Sequence, residues 1–98
     1  MKIDFSQELV DFTGETLKLD ANSPNLTLKD VITFAIKTPL QDDANLPLDK
    51  KLELDKIGEI VWSGVGELET EQASIIKDRV SKVFPTPAVA GAVRRAIG

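Results

Sequence analysis

Cysteine and histidine are both absent from this chain of 98 residues. Without cysteine there is no disulfide staple and no thiolate metal site, so stability must come from packing, as suits a reducing cytoplasm. Without histidine the commonest general base and the commonest zinc ligand are missing together, which leaves carboxylates and lysines for acid–base or metal chemistry. Long apolar runs are missing as well. No stretch approaches the roughly 20 residues that a membrane span needs, and the start, MKIDFSQELVDF, has acidic residues where a signal peptide carries continuous apolar sequence. The expectation is a cytoplasmic chain with no membrane partner, folded as one domain over 1–98 around a modest core.

The formal net charge is -4, ordinary for this size, but it is unevenly spread. Met1 to Glu69 holds 14 acidic and 7 basic residues, whereas Thr70 to Gly98 holds 2 acidic and 5 basic. The plain reading is that these charges keep helix faces solvated. The sharper one is a basic C-terminal surface built from Lys77, Arg79, Lys82, Arg94 and Arg95, able to meet phosphates or an acidic partner.

The stretch Leu26–Lys37, LTLKDVITFAIK, carries the strongest helical signal and is expected to organise the fold. Thr27 caps the first turn, Asp30 answers three residues later, and Leu28, Val31, Ile32, Ala35 and Ile36 share a face. Pro39 ends it near Thr38. Ahead of it, Met1 to Asp20 reads as a β-hairpin or a pair of extended segments, turning at Asp11–Gly14 and laying Phe5, Leu9, Phe12, Leu17 and Leu19 on helices. A second helix runs from about Leu48 to Trp62 after Pro47, with Leu52, Ile57, Ile60 and Val61 as its buried stripe, Leu48 and Leu54 flanking it, and Gly58 weakening its middle. Trp62 reads as a core lid, or alternatively as a recognition anchor. Thr70 caps a third helix carrying Ala73, Ile76, Val80, Val83 and Phe84, which stops at Pro85. Thr86 and Pro87 start a fourth, with Val89, Ala90, Val93, Ala96 and Ile97 on its apolar side and Arg94 and Arg95 in its last turn.

Motifs that carry chemistry are weak here. From Asp42 the loop places Glu53 where a calcium loop has its glutamate, but Pro47 stands where that loop requires glycine. The fragment Gly64-Val65-Gly66 lacks the lysine and the spacing of a phosphate loop and reads as a turn. A helix-turn-helix across Pro85–Pro87 would present Pro87-Ala88-Val89-Ala90, which has nothing to read bases with, so nucleic acid is a lesser alternative. Glu67, Glu69 and Glu71 become an acid–base pair only in a shaped cleft that separates their pKa values. No catalytic residue, cofactor or metal ligand is assigned.

The succession LTLKDVITFAI, then PLQDDANLPLDKKLELDKIGEIV, then ELETEQASIIKDRVSKVFPTPAVAGAV resembles a group of short proteins encoded by tailed bacteriophages and prophages. The likeness covers roughly Phe12 to Val93 and lies in amphipathic pattern; it implies a phage source and expression in a bacterial host, and it supplies no mechanism. The resulting expectation is an α+β domain, an N-terminal β-hairpin (1–20) packed on about four helices (26–97). Its activity is expected to be non-enzymatic binding of a host or phage protein, or self-association into a homo-oligomer. The candidate surface is Trp62, Lys77, Arg79, Lys82, Arg94 and Arg95.

Overall fold

The stretch around Leu28 is where the rest of the chain converges. In the computed structural model, which describes residues 2–18 and 22–98, the elements run β1 (Lys2–Asp4), α1 (Leu28–Lys37), a 3-10 turn (Gln41–Asn45), α2 (Leu48–Trp62), β2 (Val65–Glu67), α3 (Thr70–Val83) and α4 (Pro87–Ile97). The class is α+β, a two-stranded antiparallel sheet on a small bundle of four helices, as the sequence leads one to expect. Helix α1 packs on both α2 and α3, and α4 packs on α3.

A helix begins with amides that have no intrahelical acceptor, and in α1 each of these finds a partner. Thr27 Oγ1 accepts from the Asp30 amide at 3.1 Å, and the Asp30 carboxylate accepts from the Thr27 amide at 3.3 Å, the reciprocal box read from the sequence. The Leu28 and Lys29 amides donate to the Gln7 and Phe5 carbonyls at 2.9 and 2.7 Å. The N-terminal segment is therefore anchored by hydrogen bonds at the mouth of α1, with Phe5 fully buried beneath it. Leu28, Val31, Ile32 and Ala35 turn inward and meet Ile57 and Val61 of α2, Ile76 and Val80 of α3, and Val93 of α4 in one continuous core.

The sheet departs from expectation in its pairing. β1 pairs with β2, Ile3 opposite Gly66, so the second strand comes from the segment after α2. Of the expected partner, Glu15 to Leu19, the described residues turn back on the chain and among them one bridge forms, Val10 to Thr16. Asp11 organises that turn. Its carboxylate accepts from the amides of Thr13 and Glu15 and from the Thr13 hydroxyl, which holds its pKa below the usual range, and Gly14 adopts a φ of +91°. Beyond the turn the Leu9 amide donates to Leu26, Leu26 to Leu17 and Leu17 to Leu9, a closed ring of three backbone hydrogen bonds at 2.7 to 3.0 Å. Phe12, expected on the buried side, sits at the tip of the turn and is 83% exposed. Leu19 lies outside the described residues.

Helix α2 also turns differently from its expected stripe. Ile57 and Val61 are fully buried and Ile60 is half-buried, but Leu52 and Leu48 are exposed. At about 100° per residue, Leu52 lies roughly 140° around the helix from Ile57 and Leu48 stands opposite it. On α3 the cap position belongs to Glu69, whose amide donates to Gln72 Oε1, and Thr70 is the first helical residue.

Arg79 is the largest correction. Expected on a basic surface, it is 8% exposed and closes the far end of α1. Its Nε donates to the Ala35 carbonyl at 2.8 Å, and its Nη2 to those of Ile36 and Thr38 at 3.3 and 3.1 Å. Nη1 and Nη2 also grip both Asp43 oxygens, at 2.9 and 2.8 Å. The Asp43 carboxylate accepts from the Leu40 amide as well, so the loop after α1 is locked to α3.

These contacts, led by the Arg79 hydrogen bonds, hold Asp43 at a pKa of about 2, below its ordinary 3.8. The folded protein therefore binds fewer protons at Asp43 than the unfolded chain, so this stabilisation is complete above pH ~5 and is lost as pH falls toward 2. Asp43→Asn should remove about 2 kcal/mol at neutral pH and flatten the fall in urea midpoint between pH 5 and 2 relative to the unsubstituted protein. A second expectation concerns Gly66, where an added Cβ would stand 2.8 Å from Ile60 Cγ2. Gly66→Ala should cost roughly 1–3 kcal/mol in urea unfolding.

Candidate interaction surface

Trp62 ends α2 with its indole 63% exposed, so the core-lid reading gives way to an exposed aromatic. The helix geometry explains this: Trp62 follows the buried Val61 by one residue, and its side chain leaves the core by about 100°. Lys29 of α1 holds its Nζ 4.0 Å from the ring centroid, a cation–π contact that fixes the indole against α1 without covering it.

Phe34, on the side of α1 away from its buried stripe, is 51% exposed. Its ring stacks on that of Phe84, just past α3, with centroids 5.4 Å apart and planes tilted by 49°. Two clefts share this area. One, of about 410 Å³, is lined by Leu26, Val31, Phe34, Trp62 and Phe84. The other, of about 600 Å³, runs between α1 and α2, with Ile36 and Gly58 along it, Trp62 at one end and Asp55 and Glu59 on α2's side. Thr33 belongs to both, and among the described residues its hydroxyl is the one buried side-chain polar atom without a hydrogen-bond partner. The two clefts thus combine an aromatic wall, an apolar floor and a charged edge.

The basic residues of the expected surface are not gathered beside Trp62. Arg79 is internal. Lys77 Nζ donates to the Gly98 carbonyl at 2.7 Å, and Lys82 pairs with Asp78 one turn earlier at 3.2 Å, an exposed contact of little energetic weight. Arg95 Nη2 donates to the Val10 carbonyl at 3.2 Å, and Arg94 is exposed beside it on the last turn of α4. Lys82 lines a separate cleft of about 450 Å³ with Leu40, Leu54 and the Arg79–Asp43 pair.

Acidic residues are similarly dispersed. Glu67, Glu69 and Glu71 are all exposed, and the Asp43 carboxylate in the supposed calcium loop is taken up by Arg79. Among the described residues no group of three or more acidic side chains is placed to hold a metal ion, and no helix is long and apolar enough to cross a membrane. The exposed large apolar side chains of α1 and α2 that the sequence does not mark as surface are Phe34 and the leucines at 48 and 52. Phe34's position off the 28, 31, 32, 35 stripe was the available signal. Comparison with protein-family models, with curated proteins and with solved structures finds no match to this chain.

Because Trp62 is the sole tryptophan, its fluorescence reports this surface alone. At low protein concentration its emission should have the wavelength of a hydrated indole and be quenched freely by acrylamide, while Trp62→Ala should change unfolding free energy by less than about 1 kcal/mol. A blue-shifted, quench-protected spectrum would refute the exposed placement.

Proposed function

We propose that this protein acts by binding another protein through the Trp62, Phe34 and Phe84 surface, without catalytic chemistry of its own. In this reading it is a phage or prophage product working in the host cytoplasm, on a host factor or on a component of virion assembly. The observation that carries it is the exposed tryptophan standing between two apolar clefts. A partly exposed indole next to a stacked phenylalanine pair presents a large apolar area with few rotamers to freeze on binding, which is why such residues dominate interface energetics. The arginine that would have centred a phosphate-gripping patch is committed to the interior, and this favours a protein partner over the alternative of a nucleic-acid accessory role.

The test is affinity capture from bacterial lysate followed by titration of the captured partner. Trp62→Ala with Phe34→Ala should weaken binding by at least about 30-fold, the loss expected of a hot spot near 2 kcal/mol, whereas Arg94→Ala with Arg95→Ala should leave it within about threefold. Binding that ignores the aromatic pair, falls steeply with salt and vanishes with the arginines would replace this reading with the nucleic-acid one.

A further inference from the structure

Among the described residues, the solvent face of α2 is a stripe left largely uncovered, with only Lys29 resting on the Trp62 ring. Leu48, Leu52, Asp55, Glu59 and Trp62 follow one another at spacings of four, three, four and three, all on the side away from Ile57 and Val61. Leu48 is 72% and Leu52 59% exposed, so with Trp62 both ends of the helix present large apolar side chains to water. The charges along this face are mixed: Lys51, with Asp49 on the opposite edge, stands on the leucine half, and Asp55 and Glu59, with Lys56 on the opposite edge, stand toward the tryptophan.

Such a stripe is complementary to its own reversal. An antiparallel pair of helices crossing near Asp55 sets Leu48 of one copy level with Trp62 of the other, and Lys51 of one between Asp55 and Trp62 of the other. Lys56, on the opposite flank, then lies on the same side as Glu59 of the second copy. The two Asp55 carboxylates approach the twofold axis, each with a Lys51 alongside. A parallel pair would stack like charges on like.

Gly58 is an independent pointer. In the middle of an α-helix a glycine costs about 1 kcal/mol relative to alanine, and here a Cβ at that position would meet only Ile36 Cδ1, at an ordinary 3.8 Å. The chain's own packing does not require the missing side chain. Gly58 and Trp62 both line the α1–α2 cleft, and the reversed neighbour brings Leu52 level with Gly58 and Leu48 level with Trp62.

We propose that a second copy of this chain covers the solvent face of α2, the two helices running antiparallel, with Leu48 meeting Trp62 and Leu52 meeting the cleft beside Gly58. This rests on the reading of the Trp62 face as an interaction surface and names one occupant of its α2 side. A helix of 15 residues is about 22 Å long, so the contact belongs to the small, reversible class of interfaces.

Sedimentation velocity at low salt, from about 1 µM to 1 mM, should show a monomer–dimer equilibrium. Leu48→Glu with Leu52→Glu should leave a folded monomer throughout. Lys51→Glu should weaken dimerisation about tenfold and the swap Lys51→Glu with Glu59→Lys should restore it to within about threefold, since reversal of both charges preserves the pairing across the helices. A monomer at 1 mM, a dimer indifferent to the leucine substitutions, or a swap that fails to rescue would each overturn the proposal. Leu48 and Leu52 lie outside the aromatic clefts, so the two readings fail separately. A monomer that still loses its captured partner on Trp62→Ala with Phe34→Ala would end the dimer alone, and a dimer that keeps every partner despite that pair would end the heterologous reading alone.

Discussion

Arg79 is the constraint on which the rest of this architecture depends. The last carbonyls of α1 have no intrahelical donor, and they end inside the protein, where an unpaired acceptor is costly. One guanidinium supplies three of them and grips Asp43 with the same planar group. Lysine has neither the number of donors nor the fork geometry to do this. Through that single side chain α3 fixes the end of α1 and the course of the loop leading into α2. A buried pair of this kind does little for net stability compared with apolar packing, but its loss leaves an uncompensated charge, so its value is in specifying one arrangement.

At the other end of α1 the same need is met by two backbone carbonyls and a side-chain capping box together. Phe5 and Gln7 carbonyls receive the first amides, Thr27 and Asp30 receive the rest, and the N-terminal segment is thereby positioned to bury Phe5. The centre of the molecule is a short helix of ten residues whose two ends are satisfied by chain from far away in sequence. Since α1 lies against only one side of α2, the other side of α2 keeps its leucines and its tryptophan in water. The exposed surface is a geometric consequence of how the central helix is held.

What was legible in the sequence was local. Thr27 with Asp30, Pro39, Pro47, Pro85 and Pro87 mark the helices within a residue or two because caps and prolines act on immediate neighbours, and Gly14 marks its turn for the same reason. Pairings over long separations were not legible. Nothing near Val65 announces that it will lie beside Asp4, since three residues are too few for alternation to register. Arg79 was read by charge as a surface residue, and only the position of the α1 carbonyls shows why it is internal. In α2 the leucines at 48 and 52 are as apolar as those of any core, so hydropathy alone assigned them inward. The helical phase set by Ile57 and Val61 would have placed them outside, and Trp62 with them.

The pairing of β1 with β2 has a bearing on how the chain comes to be folded. The first strand emerges from the ribosome long before residue 67 exists, so during synthesis its ladder edge stands open until β2 has been made. Helices α3 and α4, by contrast, are joined by three residues and close on each other through short-range contacts. β1 is thus secured later than the segment after it, which α1 already holds, and the Phe5 amide waits for the Gly64 carbonyl to accept it.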